Sequence, residues 1–284
     1  MLGRHGRQQA RSQAHDVWQG DCGVSKLKVL DLFSGIGGFS LGLERTGGFE
    51  TVAFCEIEDY PRRVLKKHWP DVRIYDDVRE LTGSRLAADG ITRVDVITAG
   101  FPCQDISIAN GVWGKRLGLR GERSGLFHEA CRLLGDLRPF VVIFENVREL
   151  LRNGLLEMLK SLASLGYDAE WHAIPASYVG SLQNRDRVWV IAYPREIGIK
   201  GLFEGRGVGK ARQGWTCCQA DLPRIFAAPL VGDSWPQPII RRGSNRPAYW
   251  VDRIAACGNA VVPQIPEMIG YAILDAIEGE EAAA

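Results

Sequence analysis

Short apolar runs alternate with stretches of helical spacing over the first two thirds of the chain. The first run, 26–32 (KLKVLDL), predicts a strand. A glycine-rich turn follows it, Ser34-Gly35-Ile36-Gly37-Gly38, and then a helical pattern over 39–45 that Gly47-Gly48 stops. Further strands are predicted over 51–55, 72–75, 94–99 and 140–144, and late ones over 167–174 and 187–192. Helices are predicted over 60–69, 125–137 and 151–165. Strands alternating with helices at this spacing are βαβ units, so the expected fold is α/β: a Rossmann-like, mostly parallel sheet with helices on both faces. The nearly continuous apolar strands fit a sheet covered on both sides.

The pattern changes after Tyr193-Pro194. Residues 194–249 are rich in Gly, Pro and Arg and lack periodicity, which reads as a small irregular subdomain. Residues 250–284 return to the main body through a Gly/Pro-containing turn at 259–266 and a closing helix at 267–277. Residues 26–193 form the main domain, and 1–25 a polar, flexible extension with Arg4, Arg7 and Arg11. That extension has no apolar core of signal-peptide type; an organelle presequence is the competing reading, disfavoured by a short Arg-rich stretch without a clear amphipathic repeat. No apolar run reaches membrane-spanning length, and there are no internal repeats.

Charge and cysteine usage narrow the chemistry. The net charge of +1 announces no partner, but 195–246 holds nine basic residues against four acidic ones, a local excess suited to phosphate contact. Seven cysteines occur without a CxxC pair, so neither a disulfide framework nor a metal site is expected, and a reducing cytoplasm is the default.

Ligands of parallel α/β sheets sit at the carboxyl ends of the strands, where the chemically notable residues of this chain cluster. The glycine loop lets a ligand approach the backbone, Glu56 after the second strand suits ribose hydroxyls, and Asp77 follows the third strand. Together they indicate an adenosine-containing ligand and leave NAD and S-adenosylmethionine both open; the third glycine of the dinucleotide fingerprint is missing, with Ser40 near its place. Gly100-Phe101-Pro102-Cys103-Gln104 follows the fourth strand directly. Pro102 ends that strand and presents Cys103 at the rim, where Arg185 and Arg187 are candidate cations to favour a thiolate. The long loop over 104–123 carries Gly111, Gly114, Gly118 and Gly121 with Lys115, Arg116, Arg120 and Arg123, a composition suited to a closing, phosphate-contacting lid.

Five segments, Asp31-Leu32-Phe33-Ser34-Gly35-Ile36-Gly37-Gly38, Pro102-Cys103-Gln104, Glu145-Asn146-Val147, Gln183-Asn184-Arg185-Asp186-Arg187 and Gly258-Asn259-Ala260-Val261-Val262, resemble in order the motifs of DNA (cytosine-5) methyltransferases, over about residues 28 to 277. The resemblance implies S-adenosylmethionine as methyl donor, no metal, and double-stranded DNA as partner. It implies that Phe33 stacks on adenine, that the backbone of Ser34, Gly35, Ile36, Gly37 and Gly38 surrounds the methionine moiety, and that Glu56 takes the ribose. Asp77 and Val78 then hold the adenine edge, and Ile57, Gly100, Pro102, Leu126, Asn259 and Val261 complete the pocket. Cys103 is implied as nucleophile, Glu145 as the contact to N3 and the exocyclic amine of cytosine, and Arg187 as the contact to O2, with Arg185 in support. Gln104, Lys115, Arg116, Arg120, Arg123, Arg241 and Arg242 are the expected DNA contacts.

A thiolate adding to C6 drives electron density to C5. The ring charge that develops asks for a protonated glutamic acid and an arginine beside it. Such a base must leave the duplex stack.

The chain departs from the family pattern in three ways. The target-recognition region is compressed into about 194–249, Arg246-Pro247 to Ala256 is at most a remnant of the arginine-led helix before the GN turn, and Ala260 stands where Ser is frequent. Short forms of this kind resemble prophage or solitary bacterial enzymes. The expected setting is therefore the cytoplasm, nucleoid-associated in a bacterium or phage-infected cell, as a monomer, with a cognate restriction endonuclease as a candidate partner. Competing readings are an RNA cytosine-5 methyltransferase, which resembles this fold but carries a Cys-Phe-Thr signature absent here; a catalytically inactive DNA-binding relative; and a nicotinamide dehydrogenase.

Overall fold

The computed structural model describes residues 26–102, 126–180, 185–197 and 259–281. Seven strands form one sheet: β1 (Leu27–Leu32), β2 (Phe49–Cys55), β3 (Arg73–Tyr75), β4 (Val96–Ala99), β5 (Val141–Val147), β6 (Tyr167–Pro175) and β7 (Asp186–Pro194). Their order is β3-β2-β1-β4-β5-β7-β6. The first five are parallel; β7 runs antiparallel between β5 and β6. The sequence-predicted α/β, mostly parallel sheet is the one observed.

Helices cover both faces, as the apolar runs require. One face packs under α3 (Gly83–Ala88), α4 (Leu126–Leu137), α5 (Leu150–Asn153) and α6 (Leu155–Ser164), with Phe127, Leu133, Leu134, Met158 and Leu162 buried against Leu30, Leu32, Ile97 and Val142. The other packs under α1 (Gly38–Arg45) and the closing helix α7 (Gln264–Glu281), which bury Phe39, Leu43, Ile265, Ile269 and Ile273 on Val29, Val96, Ile143 and Trp189. α2 (Asp59–His68) flanks the β2–β3 edge. The closeness of α1 and the C-terminal turn rests on Gly42: a Cβ there would run into the Pro263 carbonyl oxygen and the Pro266 ring.

Three local differences from the sequence reading have physical causes. The helix expected over 151–165 is two helices that meet at Gly154, whose extended backbone (φ −177°) interrupts the ladder. The six-residue helix α3 escapes a periodicity search because it is under two turns long; Thr82 caps it by accepting the Arg85 N–H at 3.1 Å. Strand β5 runs on to Val147 instead of stopping near residue 144, because β7 keeps pairing with it as far as Val147↔Arg187. Glu145 and Asn146 therefore sit within the sheet. Among the described residues no helix is long and apolar enough to cross a membrane, and no cluster of His, Cys, Asp or Glu side chains is arranged to hold a metal.

Candidate active site

The carboxyl ends of β1, β2, β4 and β5 form a rim with two chemically different halves. In the glycine-loop half the chain leaves β1 in a tight turn: Phe33 takes a left-handed backbone (φ 54°), as do Gly35 (φ 53°) and Gly37 (φ 86°). Ser34 anchors the turn from within, its hydroxyl donating to the Asp31 carbonyl at 2.6 Å and accepting the Cys55 N–H at 3.2 Å. Glu56, only 8% exposed, accepts the Gly35 N–H at 2.7 Å on one oxygen and the Glu58 N–H at 2.8 Å on the other. Burial pushes its carboxyl above the ordinary range, against the pull of those two donors. Its neighbour Ile57 is a large apolar side chain left 62% exposed. A Cβ on Gly35 would meet nothing within 4 Å, so this side of the loop opens outward; one on Gly38 would strike the Val261 carbonyl. Gly38 thus packs the loop against the C-terminal turn that holds Asn259 and Val261.

The second half lies on β5 and β7. Glu145 faces Trp189 across the antiparallel pair, and Arg187, two residues along, turns its guanidinium back over the carboxylate. Arg187 Nε lies 2.9 Å from Glu145 Oε1, but its N–H does not point along that line, so Oε1 is buried without a hydrogen bond. Arg187 also donates from Nη1 to its neighbouring Asp186 carbonyl at 2.9 Å. Arg185 donates from Nη2 to the Asn259 carbonyl at 3.1 Å, which joins this half to the C-terminal turn. Burial raises the Glu145 pKa; Arg187 and then Arg185 pull it back without cancelling the shift. Gly100, at the end of β4, leaves room beside Glu145: a Cβ there would come to 3.6 Å from Oε2.

The sequence-predicted residues are thus brought together as follows. Phe33, Ser34, Gly35, Ile36, Gly37, Gly38, Glu56 and Ile57 share the β1–β2 rim. Asp77 and the buried Val78 follow β3, with Asp77 accepting the Arg79 N–H at 2.9 Å. Gly100 and Pro102 lead from β4 toward Glu145, and Leu126 opens α4 and packs against the same hydrophobic cluster as Phe33 and Val78. Asn259 and Val261 return through the C-terminal turn. Cys103, Gln104, Lys115, Arg116, Arg120, Arg123, Arg241 and Arg242 lie outside the described residues. The described cysteines, Cys55 and Cys131, are free thiols whose pKa values burial pushes up to about 12, which leaves them protonated and unreactive at neutral pH.

The sequence analysis assigns no role to four residues that organise the rim: Asp31, Ser40, Thr98 and Asn146. Asp31 is fully buried; its oxygens accept the Ser40 hydroxyl at 2.8 Å and the Thr98 hydroxyl at 2.8 Å. This ties β1, α1 and β4 together. Burial outweighs those donors and pushes its pKa up to about 7. Asn146 donates to the Phe101 carbonyl at 3.1 Å and so fixes the turn that leads to Pro102. Asp31 and Thr98 are polar residues inside otherwise apolar strands, and that break in pattern is the signal that could have marked them.

The model of the C-5 cytosine-specific DNA methylase family matches residues 27–210. Among curated proteins, the chain is 31% identical over 196 residues to the type II methyltransferase M.Sau3AI of Staphylococcus aureus, covering 64% of this chain and 47% of that protein. It is 36% identical over 174 residues to the type II methyltransferase M2.BsuMI of Bacillus subtilis strain 168, covering 58% and 42%. The chain therefore spans less than half the length of these relatives. Among solved structures, an E. coli prophage-encoded protein described as a DNA modification methyltransferase superposes with a TM-score of 0.52 at 24% identity, covering 62% of this chain and 49% of that one. The Entamoeba histolytica methyltransferase EhMeth gives 0.50 at 18% identity, covering 59% and 53%. These two likenesses concern the fold.

Proposed function

This chain belongs to the C-5 cytosine-specific DNA methylase family, and from that premise we propose that it methylates C5 of a cytosine flipped out of double-stranded DNA, with S-adenosylmethionine as donor. The observation that carries the reading is the Glu145–Arg187 pair: a buried carboxyl with a raised pKa, an arginine 2.9 Å away, and Gly100 packed beside Glu145 at the end of β4. That constellation suits a pyrimidine edge with one nitrogen needing a proton and one carbonyl needing a cation.

The glycine-loop half fits the adenosyl cofactor. Gly35 leaves open space, Ile57 offers an exposed apolar face, and each Glu56 oxygen that holds one backbone N–H keeps a lone pair for a ribose hydroxyl. When bound, the cofactor supplies an electrophilic methyl group on a sulfonium. The chain's own residues do the rest. Cys103, as thiolate, forms a bond to C6, and the ring electrons move toward C5. Glu145 holds a proton at N3 and lowers the cost of the charge that develops there. Arg187 keeps Nε beside Glu145 as an ion pair and Nη1 on the Asp186 carbonyl, which leaves Nη2 for O2. Once C5 carries the methyl, loss of its proton and departure of the Cys103 sulfur restore the ring.

Gln104, the basic residues of the following loop and Arg241 with Arg242 are proposed as DNA contacts, because their charges suit a phosphate backbone. The type II designation of the relatives supports a cognate restriction endonuclease as partner, and a DNA substrate supports a cytoplasmic, nucleoid-associated setting.

Bisulfite sequencing of DNA from cells expressing the chain, beside a Cys103→Ser variant, tests the proposal. Wild type is expected to leave a discrete set of protected cytosines and the variant none. Protection that persists in the variant removes Cys103 from the chemistry; full conversion in both, with folded protein present, removes the activity.

A further inference from the structure

Strand β3 ends at Tyr75, and residues 76–82 turn from it into α3. Short-range bonds shape this turn: the Asp77 carbonyl accepts the Glu80 N–H at 3.2 Å, and the Val78 carbonyl accepts the Leu81 N–H at 3.3 Å. Bonds of this length hold a backbone loosely. A second tie comes from α4. Arg132, partly buried, donates from Nη2 to the Val78 carbonyl at 3.0 Å and to the Leu81 carbonyl at 2.8 Å. Glu129, one turn earlier on the helix, aims the guanidinium by accepting from Nε at 2.9 Å. Val78 and Leu81 are themselves buried in the cluster that holds Leu133 and Leu134 of α4. Among the described residues no other helix or strand sends a side-chain hydrogen bond to the backbone of 77–81.

The turn carries groups matched to one purine edge. Asp77 offers a carboxylate, an acceptor, whose Oδ1 takes the Arg79 N–H at 2.9 Å. The Val78 N–H beside it is a donor without a partner among the described residues. Adenine presents the complement, an amino donor next to a ring-nitrogen acceptor; hypoxanthine presents a carbonyl next to an N–H, the reverse. We propose that Arg132 is a positioning residue for adenine recognition: by pinning the Val78 and Leu81 carbonyls to α4, it holds Asp77 and the Val78 N–H in the register that separates a 6-amino purine from a 6-oxo purine. The inference rests on the adenosyl-cofactor reading above and assigns the discrimination to a residue that need not touch the ligand.

The guanidinium suits this task. It is planar, permanently charged and carries its donors in one fixed plane, so two carbonyls three residues apart are set relative to each other and to the helix at once. Asp136, 3.6 Å from Nη1, completes the frame on the far corner. A lysine at this place would bring a point charge on a flexible stem, which can meet a carbonyl but does not fix the pair. Rigidity matters because a hydrogen-bonding site rejects a mismatched edge only when its own groups are left unpaired. A loose turn moves and spares them.

Titration calorimetry with S-adenosylhomocysteine and with S-inosylhomocysteine, its 6-oxo counterpart, reads this without any turnover. In wild type the inosyl compound is expected to bind at least about 30-fold more weakly. Arg132→Met keeps an unbranched stem and removes every donor. It should bring that ratio to about threefold or below and weaken S-adenosylhomocysteine by about tenfold. Arg132→Lys should fall between. Glu129→Gln leaves both carbonyl bonds in place and should stay within about twofold of the wild-type ratio. A role in stability alone lowers the melting temperature, or both affinities together, and leaves the ratio untouched. The lysine variant and the wild-type comparison carry the test where the methionine variant folds poorly. A wild-type ratio retained in the methionine or the lysine variant overturns the positioning role. Wild type that binds both compounds equally overturns this inference and leaves the cofactor reading standing; wild type that binds neither overturns both.

Discussion

Asp31 and Glu145 are both buried carboxyls at the rim of one sheet, and burial raises the pKa of both. Their surroundings differ. Asp31 is met by hydroxyls and a backbone N–H; Glu145 is met by two arginines and keeps one oxygen without a hydrogen bond. Hydroxyls can donate to a carboxylate or turn and accept from a carboxylic acid, so the Asp31 shell holds its geometry in either charge state. Arginines cannot accept. The Glu145 shell favours the anion, against the burial that favours the acid. Similar burial thus meets hydroxyls that can donate or accept in one half and fixed cations in the other, and the partners decide how each carboxyl behaves.

The largest expected consequence falls on the glutamate. Glu145→Gln preserves size and polarity but cannot give up or regain a proton. It should lower the methylation rate at saturating substrates by about 10²- to 10⁴-fold and change S-adenosylmethionine affinity less than about twofold. Single-turnover kinetics beside calorimetry separates the two. A variant within about tenfold of wild type shows that hydrogen bonding at this position suffices without proton transfer, and the contrast between the halves loses its chemical half.

The next effect is on stability. Unfolded, Asp31 ionises near the ordinary aspartate value of about 3.9; folded, it keeps its proton to about 7. Between those values the folded chain binds more protons than the unfolded one, so this group's contribution declines as pH rises, by at most about 1.4 kcal/mol per pH unit. Asp31→Asn removes that slope. Urea denaturation at several pH values should show the variant gaining on wild type by up to roughly 4 kcal/mol in total as pH climbs through this window. The same series on Glu145→Gln should show a smaller gain, because Arg187 and Arg185 offset much of the Glu145 desolvation. Parallel curves for wild type and the Asp31 variant contradict a buried, titrating carboxyl.

Much of this arrangement is visible in the chain before folding. The strands on which the loop, Glu56, the Pro102 turn and Glu145 sit show as apolar runs, because a sheet covered on both faces tolerates little else. The ends of those runs are where function concentrates. What stays hidden comes from contacts distant in sequence. Nothing local shows that Asp31 will face Ser40 and Thr98, or that β7 will insert beside β5 and extend it past Phe144. Nor does the glycine spacing reveal that Gly38 and Gly42 make room for residues 261–266, over two hundred positions later, so that one glycine run serves packing and opens toward a ligand only at Gly35. The break at Gly154 was readable in principle, but the apolar spacing on either side masks it.

Glu56 offers the finest test of the division. It shares burial with Asp31 and Glu145, yet both of its oxygens hold backbone N–H groups, and the exposed Ile57 lies next to it in the chain. If its task is to bind and not to react, Glu56→Ala should raise the S-adenosylmethionine Kd by about 10- to 100-fold, the loss of one charge-assisted contact, and leave turnover at saturating cofactor within about threefold. Calorimetry and initial rates at high cofactor measure the two quantities on one preparation. A fall in turnover with unchanged affinity would move Glu56 into the reacting half. The rim would then be one continuous catalytic surface in place of a binding half and a chemical half.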